Sequence, residues 1–181
     1  MRGRGAARPY ARALHDLARE RGQVETVQQE LDALARAIAQ APDLREVLAR
    51  PWVPTGVKRN VAVEVARRLG VSPLTRDFFA LVARHGRADQ VGAIAEAYRA
   101  LVDESQGRAR ARVRTAVPLL EAEREQLRAR LARALGVKEV LLEEVADPAL
   151  LGGFVAEVGS YVLDASLDGQ LARLRQRLAG A

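Results

Sequence analysis

The chain has no cysteine, few aromatic residues and no long apolar run, and each shortage limits what it can be. The lack of cysteine in 181 residues excludes disulfides, iron–sulfur clusters, thiolate zinc sites and a cysteine nucleophile. The longest run without a polar side chain, Ala149–Ala156, is far shorter than the roughly 20 residues of a membrane-spanning helix. Because only 4% of residues are aromatic, the core must consist of leucine, valine and alanine, as in closely packed helices.

Positive charge is the main excess. The formal net charge is +6, and two segments carry it: residues 1–22 and residues 108–114 each have a net charge of +4, which leaves −2 for the rest. Such basicity makes a nucleic-acid-binding module the alternative interpretation. The arginine-rich start is similar to a transit peptide, but helical periodicity begins by about residue 6, so we expect a chain that is mature from its start.

The first hundred residues predict a bundle of about six amphipathic helices separated by glycine and proline. Pro42 and Pro51 enclose the short third helix, and Ser72-Pro73 is a start signal for the fifth. The apolar residues expected on one face of each of the other helices are Tyr10, Ala13, Leu14, Leu17 and Ala18; Val24, Val27, Leu31, Leu34 and Ile38; Val57, Val61, Val65 and Leu69; Leu74, Phe78, Leu81 and Val82; and Val91, Ile94, Tyr98, Leu101 and Val102.

The pattern changes after residue 106, where a smaller α+β part is predicted over residues 107–181. Arginine alternates with small apolar residues from Arg108 to Arg114, which indicates a strand. A helix over Glu121–Leu135, a strand over Val137–Val145, and a hairpin about Gly159-Ser160 are expected to follow. A last helix, capped by Asp168, should carry Leu171, Leu174 and Leu178. The fold class is therefore mainly α, with an N-terminal bundle and an α+β C-terminal part.

No catalytic, metal or cofactor site is predicted. His15 and His85 have no second ligand at useful spacing, and no phosphate-binding glycine motif precedes a helix. Asp147 and Asp164 are the only candidate pair of catalytic carboxylates, and turn formation explains both better. An enzyme reading would need at least one of them to have a raised pKa. The Arg108–Arg114 segment is interpreted as a solvated strand face that meets an acidic partner rather than nucleic acid, since aromatic stacking platforms are missing.

Several segments resemble the F-type ATP synthase delta subunit family, known in mitochondria as the oligomycin-sensitivity-conferring protein. The resemblance covers nearly the whole chain in order and spacing. The segments that carry it are Arg8–Leu14, Leu48–Pro51 with Lys58, Leu81–Arg87, Thr115–Leu119, and Asp147–Phe154 followed by Gly159, Asp164–Ser166, Leu171 and Leu174.

The resemblance implies a non-catalytic stator subunit that links the catalytic head to the peripheral stalk, so that the head does not turn with the rotor. The bundle, residues 1–106, would take the N-terminal helix of an alpha subunit in a groove, and contact with beta is also open. The predicted groove residues are Tyr10, Ala13, Leu14, Asp77, Phe78 and Leu81. Residues 107–181 would bind b-type stalk subunits through Gly152, Gly153, Phe154, Leu171, Leu174 and Leu178. The expected location is the cytoplasmic face of a bacterial plasma membrane, held there only through the complex.

Overall fold

The chain folds into two compact units, Met1–Val102 and Asp103–Ala181. The structure, a computed structural model, describes residues 4–159 and 161–179, with side chains for residues 7–159 and 161–176. The division lies a few residues before the predicted limit at residue 106. The predicted fold class, mainly α with an α+β C-terminal part, is confirmed.

The helical unit contains six α-helices among its described residues. Their bounds are α1 Arg4–Glu20, α2 Val24–Gln40, α3 Pro42–Ala49, α4 Thr55–Arg68, α5 Pro73–Arg84 and α6 Val91–Ser105, and a 3-10 turn, Ala88–Gln90, precedes α6. The predicted start of α5 is confirmed, because the Ser72 hydroxyl accepts a hydrogen bond from the Thr75 N–H and Pro73 occupies the first turn.

The core of the helical unit is built largely from small and aliphatic residues. The apolar seam predicted for α2 is confirmed, since Val27, Leu31, Leu34 and Ile38 are all buried. The largest fully buried side chain is Tyr98, whose hydroxyl donates to the Val24 carbonyl. Burial also raises the pKa of that phenol. Alanines at many buried positions allow the helices to approach closely, as the low aromatic content predicts.

Three predicted apolar faces are wrong in detail. In α1 the buried row is Ala7, Ala11, Leu14 and Ala18, while Leu17 is 44% exposed. In α4 the buried residues are Lys58, Ala62 and Ala66, whereas Val57 and Leu69 are exposed and Val61 and Val65 only partly buried. In α5 Phe79 is buried in place of Phe78 and Leu81. In α1 and α4, close contacts select alanine or a buried aliphatic stem, and bulkier residues such as Leu17 and Val57 then lie at the margin. In α5 the buried face is shifted by one residue, from Phe78 to Phe79.

The α/β unit has a four-stranded mixed sheet in the order β2-β1-β3-β4. The elements are β1 Arg108–Thr115, α7 Glu121–Leu135, β2 Glu139–Ala146, β3 Phe154–Val158, β4 Tyr161–Asp164 and α8 Leu167–Ala179. β1 pairs with β2 in parallel across the α7 connection and with β3 antiparallel. β3 and β4 form the predicted hairpin, although Ser160 in its turn lies outside the described residues.

One face of the sheet packs on α7 and the other carries the arginines of β1. The residues buried between sheet and helix are Ala111, Val113, Leu127, Leu131, Val140 and Ala156. Strand alternation therefore places Arg108, Arg110, Arg112 and Arg114 on the opposite face. None of the helices in the described ranges combines the length and apolarity needed to cross a membrane.

Candidate partner-binding surfaces

Helices α1 and α5 of the helical unit meet through a polar and aromatic cluster around Tyr10. The Tyr10 hydroxyl lies 3.1 Å from His85 Nδ1 and accepts a hydrogen bond from Arg87 at 3.1 Å. The Arg87 guanidinium also lies 5.3 Å from the centre of the Tyr10 ring. Phe78 packs edge-on against the same ring, with 6.3 Å between centroids. These contacts join Tyr10 of α1 to Phe78 of α5 and to His85 and Arg87, which follow α5 in the chain.

An apolar surface continues from this cluster along both helices. Ala13 and Leu17 follow Tyr10 on one side of α1, and Leu81 follows Phe78 on one side of α5. Ala13 is exposed, and Leu17 and Leu81 are 44% and 45% exposed. We call this surface, formed by Tyr10, Ala13, Leu17, Phe78 and Leu81, the α1–α5 face.

The structure brings most of the predicted groove residues to this surface, with one exception. Asp77 is exposed beside Phe78 and pairs with Arg76 at 3.0 Å. Leu14, in contrast, is fully buried, so it supports the face from the core and cannot contact a partner directly. Leu17 was missed as a surface residue. The sequence does contain an indication of this. Alanines at positions 7, 11 and 18 suit a closely packed helix face, and Leu17 lies beside that face rather than on it.

The predicted stalk residues of the α/β unit fall into two groups. Gly152 and Gly153 lie in the turn before β3 and pack against the start of α8; a Cβ on Gly153 would lie 2.4 Å from the Ala165 carbonyl oxygen. Phe154 is partly buried against the core. Leu171 and Leu174 on α8 are 51% and 58% exposed. The remaining predicted residue, Leu178, belongs to α8, but its side chain lies outside the described residues.

Exposed apolar side chains are concentrated in the turn before β3, in β4 and in α8, with Val162 on the opposite face of the sheet from Tyr161 and Leu163. All four residues of β4 are exposed, and so are the apolar residues that flank α8. The exposed apolar residues of this region are Leu151, Tyr161, Val162, Leu163, Leu167, Leu171 and Leu174. Surfaces of this kind mark protein contacts in soluble chains.

The junction of β4 and α8 is fixed by Asp164 and Ser166. The Asp164 carboxylate accepts hydrogen bonds from the Ser166 N–H at 2.9 Å and from its hydroxyl at 2.6 Å. These two bonds lower the pKa of Asp164. The Ser166 hydroxyl in turn accepts from the Gly169 N–H, so Ser166 caps α8. The predicted cap, Asp168, instead accepts from the Leu151 N–H.

This geometry argues against an enzyme built on Asp147 and Asp164. The pKa of Asp164 is lowered, which is opposite to the shift that a catalytic acid at neutral pH requires. Asp147 accepts from the Ala149 N–H at 3.1 Å and from Arg114 at 3.1 Å, a turn-forming role. In the described ranges, no group of three or more histidines, aspartates or glutamates is arranged to hold a metal.

Two of the four arginines of β1 have acidic partners among the described residues. Arg110 pairs with Asp103 at 2.6 Å and Glu143 at 3.5 Å. Arg114 pairs with Asp147 at 3.1 Å and Glu157 at 3.8 Å. These internal pairs compete with any external acidic partner at Arg110 and Arg114, and contact of this strand with such a partner stays a prediction. The pairing also removes much of the reason to consider nucleic acid.

Comparisons with known proteins agree with this description. The family model for the ATP synthase delta (OSCP) subunit matches residues 6–178. An ATP synthase subunit delta from Anaeromyxobacter sp. (strain Fw109-5) is 41% identical over 172 residues, which cover 95% of this chain and 96% of the relative. One from Solidesulfovibrio magneticus is 36% identical over 180 residues and covers 98% of both chains.

Among solved structures, a chain of the Toxoplasma gondii mitochondrial ATP synthase hexamer has the same fold. The TM-score is 0.71 at 21% identity, with 96% of this chain and 97% of that chain covered. The similarity extends through both units rather than one alone. The chain therefore belongs to the ATP synthase delta (OSCP) subunit family.

Proposed function

We propose that the two units divide the work of a stator subunit, the helical unit binding the catalytic head and the α/β unit binding the peripheral stalk. Membership of the family makes the chain a non-catalytic coupling subunit of an F-type ATP synthase. Such a subunit forms or breaks no bond. Its task is to hold the head against the torque of the rotor, so it needs firm attachment at two places.

The observation that carries the head contact is the α1–α5 face. Its apolar side chains are exposed along two adjacent helices, and Ala13 leaves room for a partner backbone to approach. This arrangement suits an amphipathic helix that lies in a groove. We assign the face to the N-terminal helix of an alpha subunit, with beta as a further contact of the head.

The stalk contact is assigned to the α/β unit because the apolar residues of β4 and of the first turns of α8 are exposed. The partner is a b-type subunit of the peripheral stalk. The chain would then be held at the cytoplasmic face of a bacterial plasma membrane through the complex alone.

Calorimetry with a synthetic alpha-subunit N-terminal helix from the same organism tests the head contact. We expect one-to-one binding that weakens by at least about tenfold, or 1.4 kcal/mol, with Ala13→Asp and with Leu81→Asp, because each places a carboxylate in an apolar contact. Ala100→Asp, at an exposed site on α6, is the matched control and should bind as the parent does.

Circular dichroism must show that all three variants remain folded. Unchanged affinity in both Ala13→Asp and Leu81→Asp would exclude the α1–α5 face. A parent protein that does not bind the helix at all would refute the head contact itself.

A further inference from the structure

The α/β unit contains a pocket that its fold does not fill. It lies between the end of β1, the first half of α7 and the turn before β3, and has a volume of about 340 Å³. The apolar part of its wall includes Ala116, Val117, Leu127 and Phe154. A volume of this size lies within the range of about 300–1,000 Å³ that is typical of ligand sites.

The wall of the pocket includes a polar group that the folded chain leaves without a partner. Thr115 is 1% exposed, and its hydroxyl makes no hydrogen bond with any residue that the structure describes. A buried hydroxyl of this kind is costly unless something pairs with it. The hydroxyl is itself covered, so it marks imperfect packing of the wall, and the apolar lining decides what the pocket can receive.

The rim of the pocket is unusually apolar for a surface. Val117 is 69% exposed, and Leu120 and Leu151, which adjoin lining residues, are 70% and 71% exposed. The side chain of Leu167 adjoins Gly152, within 2.8 Å of the place where a Cβ would lie, so the rim is continuous with the leucines of α8. An apolar rim around a deeper pocket is the arrangement of an interface anchor point.

Arg130 and Glu123 both line the pocket, and the two side chains differ in how they are engaged. Arg130 lines the pocket, is exposed, and makes no ion pair with a described residue. Two other arginines of α7 are already paired, Arg124 with Glu144 and Arg128 with Glu125. The carboxylate of Glu123, also at the pocket, accepts from the Leu120 N–H at 2.9 Å. A partner should therefore carry an acidic residue close to its apolar anchor.

From these observations we propose that the pocket is the anchor point of the stalk contact. It receives one large apolar side chain from an acidic amphipathic helix of a b-type stalk subunit, and Arg130 pairs with a carboxylate on that helix. This inference rests on the proposed function, because it names the place and the chemistry of the stalk contact.

Binding of the full chain to the soluble part of the b-type subunit from the same organism tests the proposal. Ala116→Leu fills the pocket without adding charge, and Arg130→Glu reverses the charge at its rim. We expect each to weaken binding by about tenfold or more, as at an interface hot spot. Arg130→Glu should also reduce the dependence of affinity on salt. Ala134→Leu and Arg133→Glu, exposed on the last turn of α7 and outside the pocket, are the matched controls.

The outcomes separate this inference from the proposed function. If the parent binds the stalk subunit and both pocket variants bind equally well, the pocket is not the anchor, although the stalk function stands. If the parent does not bind, the stalk function itself fails. Self-association of the purified chain that Ala116→Leu abolishes would assign the pocket to a second copy and overturn the proposal.

Discussion

At the scale of single residues, the carboxylate of Glu144 in β2 binds both the segment before α7 and Arg124 within α7. One carboxylate oxygen accepts from the Leu119 N–H at 2.6 Å and the other from Arg124 at 2.9 Å. These contacts, the backbone bond first, lower the pKa of Glu144 below its ordinary 4.5. Because the folded value is the lower one, the stabilisation is complete above pH 4.5 and is lost as the pH falls through the folded value.

Replacing this carboxylate should therefore make the α/β unit less stable in a pH-dependent way. We expect Glu144→Gln to cost about 1 kcal/mol at pH 7, a loss of about 4–8 °C in Tm, because the amide keeps the Leu119 bond and loses the ion pair. The difference should shrink in thermal melts below pH 4.5. Glu139→Gln, at an exposed position of the same strand, should have little effect at either pH. A difference that stays constant down to pH 2 would contradict the assignment.

At the scale of elements, the turn before β3 depends on a glycine that no other residue can replace. Gly153 has φ +76°, and a Cβ there would also lie 3.0 Å from the Ser166 Cα. Gly153→Ala must therefore move the backbone that leads into α8, and we expect a loss of about 3 kcal/mol or more. Gly159→Ala is the matched control, since Gly159 has φ +57° and open space around it, so that only about 1–2 kcal/mol of backbone strain applies.

Denaturant unfolding of the two alanine variants measures this difference. Equal losses of stability would show that the strand turn and the start of α8 are not packed as described. The test also bears on partner binding, because Gly152 and Gly153 were predicted as contact residues. Both glycines pack against the segment that leads into α8, so they have a structural role whether or not they also contact a partner.

The elements themselves could be predicted from the sequence far better than the faces they bury. Periodicity and glycine or proline positions indicate where a helix begins and ends, and α7 has the predicted bounds. They do not reveal which side of α4 meets α5. Hydrophobicity favours the valines, but the residues that α4 buries are Ala62, Ala66 and Lys58, because close helix packing depends on size.

The candidate sites show the same limit. Ala13, Leu14 and Leu81 were all predicted as groove residues from the family resemblance, and the fold buries Leu14 while it exposes the other two. Only the fold separates an apolar residue in the core from one on the surface. The pocket at Thr115 could not be predicted at all, since it is bounded by segments far apart in the sequence.

At the scale of the whole molecule, part of the basic charge of residues 108–114 is neutralised within the chain. Arg110 and Arg114 are held by acids of the same chain. We therefore expect no measurable binding of a random DNA duplex at 150 mM salt, where non-specific binders with free basic patches reach Kd values of about 10⁻⁴–10⁻⁶ M. Fluorescence anisotropy with a labelled duplex measures this.

A variant that frees these arginines provides the comparison. Glu143→Gln combined with Glu157→Gln removes one partner of each arginine, and we expect it to bind the duplex at low salt more strongly than the parent does. Tight binding of the parent at 150 mM salt would revive the nucleic-acid interpretation.

The position of β1 within the sheet has a mechanical consequence. β1 follows α6 in the chain after only two residues, and it is hydrogen-bonded on both sides, with eight paired positions along β2 and four along β3. A pull transmitted along the chain from α6 enters the sheet at an inner strand and runs along that strand. The load is then shared in shear by both ladders at once, whereas an edge strand peeled from its end would lose its hydrogen bonds one by one.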